Sequence, residues 1–394
     1  MTRHGALSGL RSIEMGQLIA GPFCGQLMAD HGAEVIKIEP PGQGDPMRSW
    51  GQGKPVWFPV IARNKQCITL NLRLPRGQQI LRELIARSDF LVENFRPGTL
   101  EKWNLGYESL RALNRALIVV RVSGYGQSGP YSGRAGYGSI GEAMGGMRYL
   151  AGDPSTPPSR VGLSIGDALA ATYACLGALM ALNHRHATGE GQVVDSAIYE
   201  AVLAMMESTV PEYTEAGVIR ERTGSILPKI APSNVYQTQD GQIVIGANQD
   251  SVWKRMAEAM GRAELGSDAR YATHLARGER QAELDALIDA WTSGFTSAQV
   301  LQILHSAGVP AGKIYRAPDM LEDEHFKARE ALVKVPHPTF RNLWMANVFP
   351  KLSATPGEVR WAGPALGEHN EQVFGGLLGY GREAREKLVE EGVI

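Results

Sequence analysis

The sequence predicts an α/β protein: a mainly parallel sheet covered by helices, accompanied by a second, smaller unit in the carboxyl-terminal half. Two observations point there. The first half alternates short β-like runs with helical stretches, a rhythm that sets parallel strands side by side with helices packed over them. Beyond residue 222 that rhythm stops, and a hairpin followed by helices replaces it. At 394 residues the chain is long enough for two domains and a large buried core.

Residues 11–15 read as the first strand, and Gly21-Pro22 opens a helix that runs through residue 29. Glu34-Val35-Ile36-Lys37-Ile38 is the second strand, 66–70 the third, and 76–86 the helix after it. A strand at 89–93, a short helix at 107–114 and a strand at 116–122 continue the alternation. Ligands of such sheets sit beyond the carboxyl ends of the strands, so the loops at 18–22, 39–48, 94–98 and 123–138 are where chemistry is expected. The most apolar stretch, 168–182, is interrupted by Thr172, Tyr173 and Gly177 and is shorter than a membrane span; it reads as a buried helix. Gly189-Glu190-Gly191-Gln192 then turns into a strand at 193–195, and a helix begins near Ile198. A loop-rich passage at 223–233 leads to the second unit, where Asp240-Gly241 between two β-like runs signals a hairpin. Helices at 251–260, 281–293 and 297–307, a β-rich stretch at 336–350 and a final helix at 382–391 complete the chain. The expected domains are 1–222 with 334–394, and 223–333.

Composition excludes several function classes. Forty basic residues balance forty-one acidic ones, so no global field draws nucleic acid or an anionic membrane, and an anionic ligand must be held by local charge. Cys24, Cys67 and Cys175 are odd in number and far apart, which argues against a disulfide framework or a zinc site and fits a reducing cytoplasm. The first sixteen residues lack a continuous apolar run, and ordered structure is expected from near Leu10.

Gly124, Gly126 and Gly129 form a literal G-x-G-x-x-G. Pro130-Tyr131-Ser132-Gly133-Arg134 continues as loop where a dinucleotide fingerprint needs a helix, so a glycine-rich loop near an active site is the better reading. His184 and His186, two apart on a helix, face different sides and do not make a metal pair. No serine- or cysteine-nucleophile signature is present. Asp167, within Val161-Gly162-Leu163-Ser164-Ile165-Gly166-Asp167, stands at the entry to the apolar helix. A plain first-turn acid, stabilised by free N–H groups and the helix dipole, explains it. The same placement keeps a carboxylate ionised for attack on an activated carbonyl, with glycine leaving room for the substrate. Lys65, Arg73, Asn94, Arg96 and Lys102 cluster around two strand-to-helix connections, either as a solvated charged face or as donors for phosphates.

Ala20-Gly21-Pro22, Gly32-Ala33-Glu34-Val35-Ile36-Lys37-Ile38-Glu39, Asn64-Lys65, Val92-Glu93-Asn94-Phe95-Arg96-Pro97-Gly98, Gly124-Tyr125-Gly126, Gly166-Asp167, Thr188-Gly189-Glu190-Gly191-Gln192 and Leu366-Gly367-Glu368-His369 occur in that order. Through them the chain resembles the class III CoA-transferases (the CaiB/BaiF, formyl-CoA transferase-like family) over nearly its whole length. The resemblance implies a large Rossmann-like β/α domain plus a smaller α+β domain, in an interlocked, ring-like homodimer. It implies acyl-CoA thioesters and small carboxylic acids as substrates, no permanently bound cofactor and no metal.

By position, Asp167 resembles the family's nucleophile. The implied CoA contacts are Ile19, Ala20, Pro40, Leu70, Asn71, Arg73, Asn94, Phe95, Arg96 and Lys102, with Arg134 and Ala135 on the later loop. Pro40 stands where the family often carries arginine, and Ala135 where some members carry lysine. The implied chemistry runs through an aspartyl anhydride and an aspartyl-CoA thioester. Two rivals are a 2-methylacyl-CoA racemase of the same fold and a CoA-binding module without turnover. Racemases that the chain resembles carry a G-H-D stretch, here Gly136-Tyr137-Gly138, which offers no base. The segment 224–232 lacks the glycine run of the formyl-CoA/oxalate branch and is more similar to the succinyl-CoA:dicarboxylate branch, with Arg222 or Lys229 as the expected partner of a distal carboxylate.

Overall fold

A computed structural model describes residues 5–394, so the reading of the amino terminus falls in part on residues outside that range. Order begins earlier than Leu10: the Leu7 amide donates to His31 O at 2.9 Å and its side chain is buried.

The chain divides into two compact units. The first comprises residues 5–148, 161–217 and 325–394 of those described. Its elements begin with β1 (Arg11–Glu14), α1 (Ala20–Asp30), β2 (Glu34–Glu39), β3 (Lys65–Thr69), α2 (Pro75–Ile85) and β4 (Phe90–Glu93). They continue with α3 (Tyr107–Leu113), β5 (Ile118–Ser123), α4 (Gly138–Met144), α5 (Ile165–Thr188), β6 (Val193–Ala197) and α6 (Ile198–Leu203). The six strands form one sheet in the order β3-β2-β1-β4-β5-β6, and all five pairings are parallel.

Alternation along the strands shows why both faces are covered. In β4, Phe90 and Val92 point into one apolar cluster and Leu91 into the other; in β5, Ile118 and Val120 oppose Val119 in the same way. One cluster is closed by α2, through Ile80, Leu81, Leu84 and Ile85. The other is closed by α1 and by the alanine face of α5, with Ala170, Ala174, Ala178 and Ala181 buried. Small side chains on that face let α5 lie close against α1.

The helix expected to be buried is buried on one face only. It runs from Ile165 to Thr188, 24 residues, which is long and apolar enough to cross a membrane, unlike the shorter stretch read from the sequence. Its other face carries Leu176, Leu179 and Met180 exposed.

The second unit comprises 149–160 and 218–324. An antiparallel sheet of β7 (Ser233–Thr238), β8 (Gly241–Gly246) and β9 (Ala311–Lys313) packs with α7 (Asp250–Ala259), α8 (Gln281–Thr292) and α9 (Ser297–Ser306). The predicted hairpin at Asp240-Gly241 is present. The boundaries differ from the expected 223–333. Residues 149–160 belong to this unit because Gly224 N donates to Gly152 O and Arg222 Nη1 to Tyr149 O. Residues 325–333 belong to the first unit because β10 (Leu332–Val335) pairs antiparallel with β11 (Leu343–Ala346). That hairpin also corrects the β-rich reading of 336–350, which held only its second strand. The last helix, α10 (Arg382–Glu390), returns to the first unit's core through Leu388.

Candidate active site

The strand order reverses between β1 and β4, and open parallel sheets bind ligands in the crevice beyond the carboxyl ends at that reversal. The loops after β1 and β4 meet there. Asn94 Oδ1 accepts the Gln17 amide at 2.8 Å and Asn94 Nδ2 donates to Gln17 O at 2.9 Å. The amide of Asn94 is thus spent on clasping the first loop.

Beneath that loop lies a network of buried charges. Lys37 Nζ donates to Glu14 at 3.1 Å and to Gly16 O at 2.8 Å, and pairs with Asp45 at 2.9 Å. Lys65 Nζ donates to Glu14 at 2.7 Å and to Pro22 O at 2.6 Å. Asp45 in turn accepts the Leu18 amide with both oxygens, at 3.1 and 3.2 Å, and Leu18 is held at φ +61°, a left-handed conformation unusual for a branched residue. Burial works against the charge on Asp45, yet the Lys37 ammonium and the amides of Met47 and Leu18 outweigh it and hold its carboxyl low. At Lys37 burial is likewise outweighed, by Glu14, Asp45 and Glu39, and its ammonium is held charged. Lys65 is therefore not a phosphate donor. It is fully buried and neutralises Glu14 inside the sheet.

The loop after β2 is folded by Glu39, which accepts from Arg48 at 2.6 and 2.7 Å and from the Asp45 amide at 2.9 Å. Between these loops opens a cavity of about 580 Å³, lined among others by Met15, Gln17, Pro40, Leu70, Asn71, Arg73, Phe95 and Trp103. Five of the expected CoA contacts, Pro40, Leu70, Asn71, Arg73 and Phe95, thus share one cavity. Ile19 and Ala20 start α1. Arg96 and Lys102 are exposed and adjacent in sequence to the lining residues Phe95 and Trp103. Arg134 and Ala135 are exposed on the later loop and do not line it; Arg134 stacks on Tyr131 at 3.5 Å.

The floor of the β4 loop is a second ionic group. Glu93 accepts the Phe95 amide at 2.6 Å and Arg121 Nε at 2.8 Å, while Arg121 also reaches Glu101 at 2.9 Å. Burial pushes the Glu93 carboxyl up to about 7, because Arg121 divides its charge with Glu101 and cannot fully offset desolvation.

The glycine-rich loop after β5 leads to Asp167. Gly126, at φ +85°, donates its amide to Ser123 Oγ, Gln127 N donates to Asp195, and a Cβ on Gly124 would sit 2.9 Å from Gly136 Cα. No helix starts inside the G-x-G-x-x-G; the next, α4, begins at Gly138. Gly138 is where chemistry becomes local. A Cβ there would collide with Oδ2 of Asp167, so any side chain at 138 has to push that carboxylate from its place. Asp167 itself is half-buried in the first turn of α5. In the second unit, Arg222 stacks 5.6 Å over Tyr149, and its Nε is buried without a partner among the described residues. Lys229 is exposed and its amide donates to Gln281.

Sequence reasoning named Asp167 and five residues that line the cavity, and missed the buried charges Lys37, Asp45 and Glu14. The available signal was Glu14, between Ile13 and Met15, and Lys37, between Ile36 and Ile38; Asp45 carried none.

Comparison with known proteins follows from this geometry. Residues 7–370 match the model of CoA-transferase family III. The succinyl-CoA–D-citramalate CoA-transferase of Chloroflexus aurantiacus is 57% identical over 393 residues, spanning 98% of each chain. The succinate–glutarate CoA-transferase of Agrobacterium fabrum is 32% identical over 385 residues, 95% of this chain and 96% of that one. The crystal structure of a CaiB/BaiF family protein from Brucella suis superposes with a TM-score of 0.85 at 32% identity, covering 95% of this chain and 100% of that one.

Two outcomes are expected from this geometry. Gly138→Ala should lower kcat by at least about tenfold, since the added methyl would meet Asp167 Oδ2 and displace that carboxylate. Steady-state kinetics alongside an unchanged circular-dichroism spectrum checks it. For Glu93, a folded pKa raised from the usual 4.5 to about 7 adds stability that is full below the unfolded value and lost as pH rises through the folded one. Melting temperature should therefore fall more steeply with pH between those values in the parent than in Glu93→Gln; parallel curves would contradict the burial argument.

Proposed function

The chain belongs to CoA-transferase family III, and from that premise we propose that it moves CoA from succinyl-CoA to a dicarboxylate, with Asp167 as the covalent carrier. One observation carries the catalytic part. A carboxylate stands in the first turn of a long helix, against a glycine whose Cβ position it fills. The helix dipole favours the anion there, and the missing side chain at 138 leaves space for the carboxylate that attacks the thioester carbonyl.

The steps balance without a metal or redox partner. Asp167 attacks the carbonyl carbon of the acyl-CoA, the C–S bond breaks, and a mixed anhydride forms with release of CoA thiolate. The thiolate attacks the aspartyl carbonyl, releasing the donor carboxylate and leaving an aspartyl-CoA thioester. The acceptor carboxylate attacks that thioester to form a second anhydride, and the thiolate returns to the acceptor's carbonyl, restoring Asp167. Each addition builds an oxyanion that amide donors near a helix start are suited to stabilise. The cavity bounded by Pro40, Leu70, Asn71, Arg73 and Phe95 holds CoA in this reading, with Arg96 and Lys102 as exposed cations for its phosphates.

The substrate class is supported by the relatives, whose names pair succinyl-CoA with citramalate and succinate with glutarate. Arg222 or Lys229 is assigned to the far carboxylate of the acceptor. The exposed apolar face of α5, with Leu176, Leu179 and Met180, fits burial against a second copy in an interlocked dimer.

Incubating the protein with succinyl-CoA and a panel of carboxylic acids, then reading new CoA thioesters by mass, tests the reading. Four- and five-carbon dicarboxylates should be converted and formate or oxalate should not; formyl-CoA formation would move the chain to the other branch. Arg222→Ala or Lys229→Ala should raise the acceptor KM several-fold while leaving the KM of an acyl-CoA donor that has no distal carboxylate alone. An unchanged acceptor KM in both variants removes that assignment.

A further inference from the structure

The start of α5 is capped from another helix. Ser164, at the N-cap, makes no side-chain cap bond. The Gly166 amide donates instead to Glu142 Oε1 at 3.4 Å, and Glu142 rises from α4 with a residue exposure of only 1%. Its other carboxylate oxygen accepts from Arg148 Nη2 at 3.2 Å, and the Nε of Arg148 is buried with no acceptor among the described residues. Glycines make the approach possible. A Cβ on Gly166 would meet Gly138 O at 3.0 Å and Glu142 Cγ at 3.2 Å, and a Cβ on Gly141 would collide with Ile198 of α6.

An uncharged side chain would cap this amide as well, and a buried carboxylate carries a desolvation cost that a cap alone does not require. What the charge adds is an anion held on the amide of the residue that precedes Asp167. During the cycle Asp167 alternates between an anion and a neutral anhydride or thioester. A neighbouring negative charge disfavours the anion relative to those neutral forms, and a cation paired with that charge moderates the effect. Among the groups at the helix start are Glu142 from α4, Arg148 from the short turn Met147–Leu150, and the apolar Ile198 from α6.

We propose that Glu142, balanced by Arg148, is a positioning residue for the transfer reaction: it fixes the Gly166 amide and sets the electrostatic balance between free and acylated Asp167. No bond to substrate forms or breaks at Glu142. The inference rests on Asp167 as the nucleophile.

The test measures kcat and the KM for succinyl-CoA over a pH series for the full-length parent, Glu142→Gln and Arg148→Met. Glutamine keeps an acceptor for the Gly166 amide but removes the charge, so the acid limb of kcat should move to lower pH. Arg148→Met leaves Glu142 uncompensated, so the same limb should move to higher pH. In both variants kcat should change several-fold with the KM for succinyl-CoA within twofold of the parent. Loss of activity without displacement of the profile, or displacement of both variants in one direction, overturns the inference. If Glu142→Gln does not fold, Arg148→Met decides alone, and an unmoved acid limb there overturns it. Asp167→Ala separates the two levels. If it is inactive while both profiles stay in place, only the Glu142 inference falls; if it exchanges CoA like the parent, the premise falls too.

Discussion

Two lysines buried to zero exposure inside a parallel sheet have to be neutralised, and meeting that requirement shapes the loops that form the site. Lys37 and Lys65 are balanced by Glu14 and Asp45, two positive charges against two negative. Removing one member would strand an uncompensated buried charge, at a cost of about 3–5 kcal/mol. The same polar atoms hold Gly16 O and the Leu18 amide, so the charge balance and the path of the first loop are one constraint. A loop fixed from beneath in this way is already ordered before a ligand arrives, which lowers the entropy lost on binding.

The two ends of the site use different physics. The cavity at the sheet's reversal point is built on buried ion pairs and on the clasp between Asn94 and Gln17. The neighbourhood of Asp167 is built on the absence of side chains: Gly138, Gly141 and Gly166 let α4, α5 and α6 close up around a helix start. Charge arranged beneath backbone and backbone brought against charge are both forms of preorganisation, and acyl transfer through a covalent intermediate needs each step's groups in place beforehand.

Much of this was legible in the sequence. The strands declared themselves through apolar runs bounded by turn residues, and the glycine-rich loop was separated from a nucleotide fingerprint by the missing helix. Asp167 was visible because an acid preceded by glycine opens an apolar helix. What stayed hidden was three-dimensional. Lys65 looked like a surface donor, because nothing in its local sequence reveals that Glu14, 51 residues away, faces it across the sheet. Residues 149–160 read as part of the first domain since chain order is the only guide, whereas their hydrogen bonds go to Arg222 and Gly224. Asn94 read as a ligand contact, and its closure on Gln17, 77 residues away, was not visible locally. The exposed side of α5 was unreadable because a long run of apolar residues masks which face the sheet covers.

The central claim is that Asp167 becomes covalently loaded, and peptide mass spectrometry tests it most directly. After incubation with succinyl-CoA and no acceptor, followed by hydroxylamine trapping and proteolysis, the peptide containing Asp167 should carry a hydroxamate at that residue. Trapping at any other carboxylate, or full turnover with no trapped species at all, would contradict the account.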